Sequence, residues 1–220
     1  QALDTLSTAR PELEDSELDP KRPHDRLALR YLQGVLEGNG AAAINDVLAA
    51  VGDGMPPIDV YMKVLMPAQR EVGRLWHLGD MSVAEEHLVT FSTQRAMAAL
   101  VQSVPLGKSN GKTVVSAAVA GNVHDIGLRA VTDVFQLAGW RTIFLGADVP
   151  MQDLPSTLTF FDADLLILTA SMSTQLPRIR YTVSAVRDRT ARDVKILVGG
   201  AAFDEAQDIW RKVGADGYGP

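Results

Sequence analysis

In the first half of the chain, apolar residues recur every three to four positions, the spacing of helices buried on one side. In residues 23–38, Leu27, Tyr31, Leu32 and Val35 share one stripe, and Gly38-Asn39-Gly40 ends it. A second short helix is predicted from Ala41 to Val51, stopped by Gly52-Asp53-Gly54. Met55-Pro56-Pro57 opens a third, from Ile58 to His77, with Ile58, Tyr61, Leu65, Val72 and Trp76 on one face, and Gly79-Asp80 breaks it. Ser82 caps a fourth helix, with Glu85 three residues on as the partner of a capping box, and that helix runs to Val104. Four helices joined by short loops predict an antiparallel bundle.

After a polar linker, residues 105–111, the pattern changes. Residues 113–120 (TVVSAAVA), 140–147 (WRTIFLGA), 164–170 (DLLILTA) and 194–200 (VKILVGG) read as strands, and a short fifth lies near Asp216–Tyr218. Between them lie helical stretches at 125–138, Met151–Phe161, Pro177–Thr190 and Asp204–Val213. Strands alternating with helices predict an α/β domain with a doubly wound parallel sheet.

Composition narrows the classes. The chain has 220 residues and a net charge of −6, with 46% hydrophobic and 22% charged residues, as expected of a globular protein. Residues 1–22 hold six acidic residues (Asp4, Glu12, Glu14, Asp15, Glu17, Asp19) against Arg10, Lys21 and Arg22, so this acidic tail or linker carries half of the net charge. The acidic balance speaks against broad binding to nucleic acid or anionic lipid. There is no cysteine, which excludes disulfides, thiolate metal sites, iron–sulfur clusters and a thioether-linked chromophore. No apolar run approaches the roughly 20 residues of a membrane helix, so a cytoplasmic location is expected. The start at Gln1 leaves room for an upstream segment.

In an open parallel sheet, ligands bind outside the carboxyl ends of the strands. The loops there are Ala120-Gly121-Asn122-Val123-His124-Asp125-Ile126-Gly127, Gly146-Ala147-Asp148-Val149-Pro150, Ser171-Met172-Ser173-Thr174 and Gly199-Gly200-Ala201-Ala202. These loops are small, polar or glycine-rich and suit a large flat ligand with a tail running inward. His124 is the one strong metal ligand among them, Asn122 could hydrogen-bond its ring, and Gly127 allows close approach. A lone loop histidine can equally be surface decoration. No nucleotide-binding glycine fingerprint follows the first strand.

Asn122-x-His124-x-x-Gly127, Ser171 and Gly199-Gly200 resemble the cobalamin-binding Rossmann-like domain, whose members carry Asp-x-His-x-x-Gly, then Ser-x-Leu, then Gly-Gly. The resemblance covers residues 112–220, and the helices of 23–105 resemble the cap of methionine synthase-type modules. It implies that His124 is the lower axial cobalt ligand in the base-off/His-on mode. It also implies that the dimethylbenzimidazole tail enters the sheet edge beside Ser171 and Gly199-Gly200. Asn122 stands where Asp is usual, which would leave His124 a weaker donor, and Ser173 stands where Leu is usual.

Trp76, a nine-residue spacer and Glu86-His87 form a second constellation, and Val83, His87 and Phe91 lie on one apolar helical stripe. Residue by residue this suits a core tryptophan and a satisfied core histidine. The same spacing is similar to the cap of adenosylcobalamin-dependent photoreceptors of the light-responsive carotenoid-repressor type. By that resemblance Trp76 packs on the adenosyl group, Glu86 hydrogen-bonds it, and His87 reaches cobalt after light breaks the cobalt–carbon bond. The expected function is then a cobalamin-binding light-sensing module that is not an enzyme, with adenosylcobalamin held between cap and Rossmann-like domain. The alternatives are a corrinoid methyl-carrier protein for a methyltransferase, and a photoreceptor that also holds a non-covalent bilin. Partners are cobalamin, an unidentified output protein or domain and a second copy in a homo-oligomer; nucleic acid and membrane are not expected.

Outside these sets, His24 and His77 read as surface residues, and His77 with His87 lacks a third ligand for zinc. Arg178, Arg180, Arg187, Arg189 and Arg192 read as a solvated face, with a partner or ligand-carboxylate contact as the alternative. Related domains continue into a closing helix beyond Gly217-Tyr218-Gly219-Pro220, so trimming at that end is expected.

Overall fold

A computed structural model of the chain describes residues 13, 16–190, 192–204 and 208–219. Most of the expected acidic tail, residues 1–12, 14 and 15, lies outside the described residues, as do residues 205–207 of the last expected helix. The chain divides into two compact units between Pro105 and Leu106.

The first unit is helical: α1 (Pro23–Leu36), α2 (Gly40–Gly52), α3 (Pro57–Val60), a wide π turn (Tyr61–Leu65), α4 (Met66–Leu78) and α5 (Val83–Ser103). The expected stripe of α1 holds, with Tyr31, Leu32 and Val35 fully buried. The expected third helix is not one regular α-helix. Pro67 has no N–H for the carbonyl four residues back, and its ring crowds that carbonyl. The chain widens just before it, and Met66 N–H donates to Tyr61 O instead. The buried face then runs through Tyr61, Val64, Leu65, Ala68, Val72 and Leu75. Trp76 falls one position past it and is 52% exposed, and Ile58 is likewise exposed, so neither belongs to the core face expected for it. The capping box of α5 is present as expected, with Glu85 N–H donating to Ser82 Oγ and Ser82 N–H to Glu85 Oε2.

The second unit is a parallel sheet of β1 (Thr113–Val119), β2 (Arg141–Val149), β3 (Leu165–Thr169), β4 (Lys195–Gly199) and β5 (Gly217–Gly219). The spatial order is β2-β1-β3-β4-β5, every pair parallel. Helix α6 (Ile126–Leu137) covers one face through Leu128 and Phe135. On the other face Leu154 and Leu158 of α7 (Leu154–Phe160), Ile179, Val183 and Val186 of α8 (Leu176–Arg189) and Ile209 of α9 (Ile209–Lys212) pack on alternate strand residues. This is the doubly wound arrangement expected from the alternation.

Two local expectations change. The second strand, expected over 140–147, runs on through Asp148 and Val149 of the expected loop, with two register shifts against β1. Of the helix expected from Asp204 to Val213, the described residues form the short α9, and a tight turn at Ala201–Phe203 precedes the range. The strand order matters most for function. The chain leaves β1 in one direction for β2 and returns to the other side for β3, so the carboxyl ends of β1 and β3 flank the crevice where such sheets bind ligands.

Candidate functional site

The loop after β1 stands at that crevice and is stitched to its neighbours by named bonds. Asn122 is fully buried; its Nδ2 donates to Thr169 O at the end of β3 (3.2 Å), and its Oδ1 accepts the backbone N–H of His124 (3.2 Å). The amide thus turns the backbone so that His124 stands outward and exposed, rather than bonding the imidazole as the sequence suggested. On the β2 side, Gly121 N–H donates to Asp148 Oδ1 (2.6 Å) and Asp148 N–H to Asn122 O (3.0 Å). Asp148 holds a left-handed backbone (φ 54°) to make both contacts. Asp125 is half-buried at the head of α6, with its Oδ2 close to Gly146.

The β3 and β4 loops join the same edge. Ser171 is half-buried and Ser173 exposed. Ala170 N–H donates to Gly199 O (3.1 Å), and Ala202 N–H to Ala170 O (3.2 Å). Gly200 has φ 96° and ψ 164°, a region open in practice only to glycine, and a methyl there would lie 2.4 Å from Ala170 O. A methyl on Gly199 would lie 2.6 Å from Gly219 O. These two glycines are therefore required by the packing of β3, β4 and β5. Gly127 differs: among the described residues nothing lies within 4 Å of where its methyl would be, so that space is left open.

Sequence reasoning missed Gln175 and, for exposed Arg178, the backbone contact that it makes. Gln175 is 2% exposed, and its Oε1 accepts from Ser171 N–H (2.9 Å) and Met172 N–H (3.1 Å) while its Nε2 donates to Gly121 O (2.9 Å). Arg178, assigned to a solvated face, donates to Ala120 O (2.7 Å). Arg187 pairs with Asp216 and Arg192 with Asp162 and Asp164, so much of that basic cluster ties the unit together.

In the helical unit, Trp76 near the end of α4 and Glu86-His87 near the start of α5 lie at one end, joined by residues 79–82. Neither is a core residue: the side chain of His87 is 61% exposed and forms an edge contact with the exposed ring of Phe91. Val83 and Leu78 are also exposed there. Glu86 is held from behind. Thr90 Oγ1 donates to Glu86 Oε1 (2.7 Å), and Glu86 Oε2 lies 3.5 Å from His87 Nε2. The line continues inward through Gln69 and Thr93 to buried Tyr31. Burial pushes the Tyr31 phenol up to about 12 against the opposing pull of its Thr93 hydrogen bond.

Two B12 binding domain families match this chain, one over residues 112–220 and the other over residues 27–101. Dimethylamine corrinoid protein 1 of Methanosarcina acetivorans is 31% identical over 179 residues, covering 78% of this chain and 83% of that protein. The chain belongs to the B12-binding family. The HTH-type transcriptional repressor CarH of Myxococcus xanthus is 27% identical over 192 residues of this B12-binding protein, covering 87% of the chain and 64% of the repressor. The structure of the Methanosarcina barkeri monomethylamine corrinoid protein superposes with a TM-score of 0.74 at 21% identity, covering 89% of this chain and 93% of that one, and shows the same fold.

The residues at the strand ends fit a cobalamin. Among the described residues no cluster of three metal-binding side chains exists, so a bare ion has no ligand set, whereas a corrin brings its own nitrogens and needs one imidazole. Exposed Val123 and Met172 stand on the two loops that flank the crevice and give it an apolar rim. Ser116 and Thr169 point to the same sheet face as Ala118 and Ile167, and their buried hydroxyls have no hydrogen-bond partner among the described residues. Polar atoms of a ligand tail would satisfy them. No described helix is long and apolar enough to cross a membrane.

Proposed function

We propose that this B12-binding protein is a corrinoid carrier that presents cobalamin to a separate methyltransferase. The observation that carries this reading is the likeness to dimethylamine corrinoid proteins, which spans both the helical and the sheet unit. It reverses the order suggested by the sequence alone, where light sensing came first. Bound cobalamin supplies a cobalt–carbon bond, able to carry a one-carbon group or to be broken by light. The chain's own part is to offer the exposed His124 imidazole from a loop fixed by Asn122, and to leave open space at Gly127. Ser116 and Thr169 would receive the polar atoms of the tail, beside the backbone of Ser171 and Gly199-Gly200.

A second reading, a light sensor using adenosylcobalamin, is favoured by one observation: Trp76 and His87 are exposed at one end of the helical unit, with Glu86 oriented beside His87. A carrier has no evident use for a histidine so placed. No described residue favours a bilin over cobalamin.

One pair of measurements separates the readings. The protein loaded with methylcobalamin is expected to pass its methyl group to a thiol acceptor when a corrinoid methyltransferase is added, faster than free methylcobalamin does. The protein loaded with adenosylcobalamin is then expected to photolyse under green light as the free cofactor does. A photoproduct that the free cofactor does not form, and that His87→Ala abolishes, would establish the sensor and overturn the carrier. His124→Ala is expected to remove the His-ligated spectrum in either case, and an unchanged spectrum would refute the axial assignment.

A further inference from the structure

We propose that Gln175, seconded by Arg178, is a positioning residue that holds the His124 loop in the geometry required to ligate cobalt. This rests on the assignment of His124 as the axial ligand. Gln175 is nearly inaccessible, yet it uses both ends of its amide on two different loops. Its Oε1 gathers the N–H groups of Ser171 and Met172, and its Nε2 reaches Gly121 O, three residues before His124. Arg178 holds the preceding carbonyl, that of Ala120, and its guanidinium lies where a side chain on Gly121 would begin.

Gly121 itself has φ 79°, a backbone state that glycine adopts freely. The left-handed turn is thus clamped at its two carbonyls by α8 and its leading residues. Asn122 Nδ2 on Thr169 O is a third tie across the same gap. An axial ligand must hold its nitrogen to within about half an ångström of the productive position. A loop tied at Ala120, Gly121 and Asn122 serves that demand, whereas the His124 side chain has no hydrogen bond or ion pair of its own among the described residues.

Gln175→Glu removes one tie and keeps the other. An ionised carboxylate still accepts from Ser171 and Met172 but has no N–H for Gly121 O, so the His124 loop loses its tie to this residue. The probe is cob(II)alamin read by electron paramagnetic resonance, with the protein grown on ordinary or heavy-nitrogen histidine. In the wild type the axial-nitrogen splitting is expected to change with the histidine isotope. In Gln175→Glu a substantial fraction loses that isotope-sensitive splitting, and cobalamin affinity falls about tenfold, the equivalent of about 1.4 kcal/mol. The thermal midpoint of the cofactor-free protein falls, because a buried carboxylate then faces Gly121 O, so splitting and affinity are read well below that midpoint.

If the wild-type splitting ignores the isotope, the His124 assignment itself fails. If the wild type responds and Gln175→Glu is indistinguishable from it in splitting and affinity, the positioning role is refuted. Should the variant not fold, Arg178→Gln carries the same test. Arg178 is exposed, so the fold tolerates its loss, and a wild-type spectrum and affinity in that variant would equally refute the clamp.

Discussion

Replacing Gly127 with alanine is expected to strengthen the empty protein and weaken the loaded one. Gly127 is the second residue of α6, its φ is not left-handed, and its methyl would meet nothing within 4 Å among the described residues. Glycine at such a place costs conformational entropy without structural return, so alanine should stabilise the cofactor-free fold by about 0.5 kcal/mol. If cobalamin lies against this position, the added methyl overpacks the contact by about 1–3 kcal/mol. That corresponds to roughly a 5- to 150-fold loss of affinity.

Gly200→Ala provides the contrast. Its backbone state costs about 1–3 kcal/mol for a residue with a Cβ. The contact 2.4 Å from Ala170 O, a backbone atom that cannot swing aside, adds about 1–3 kcal/mol more. Urea unfolding of the cofactor-free protein, followed by circular dichroism, measures the stabilities, and cobalamin titration followed by absorbance measures the affinity. The reasoning is refuted if Gly127→Ala destabilises the empty protein by more than about 1 kcal/mol, or if it binds cobalamin as the wild type does.

Two further outcomes are expected in the helical unit. The buried Tyr31 phenol, shifted from 10.0 to about 12, contributes stability that is fully present below pH 10 and is lost as pH rises from there toward 12. The loss amounts to about 2–3 kcal/mol; thermal midpoints across that range should fall more steeply for the wild type than for Tyr31→Phe, and parallel curves would assign alkaline unfolding elsewhere. Ser82→Ala removes the acceptor for Glu85 N–H and should cost about 1 kcal/mol by denaturant midpoint. Ser82→Thr, whose hydroxyl still accepts from Glu85 N–H and donates to Glu85 Oε2, should recover most of it, and failure to do so would show that the capping box does not hold the first turn of α5.

Much of the fold was legible locally because helices and strands impose their own periods on apolar residues. The stripe of Leu32 and Val35, the Ser82–Glu85 box and the alternation of buried strands with helices required no knowledge of distant contacts. The strand-end loops were legible for the same reason: once strands are placed, their carboxyl ends follow, and His124, Ser171 and Gly199-Gly200 fall on them. Trp76 shows where this stopped. Leu65 and Val72 are buried as expected, but the buried face of α4 ends at Leu75, so Trp76, a residue expected in the core, stands outside it.

By itself, then, the sequence determined most of the element types and the parallel sheet, and it pointed to His124 among the strand-end loops as the candidate ligand. The tertiary structure alone decided what holds that histidine in place. Gln175 meets Gly121 across 54 residues of chain, and Arg178 meets Ala120 across 58. Such meetings depend on β3 pairing beside β1, and no periodicity encodes them. The same distinction sorts the glycines. Gly199 and Gly200 are demanded by neighbouring backbone that only the folded sheet brings near, while Gly127 faces open space among the described residues.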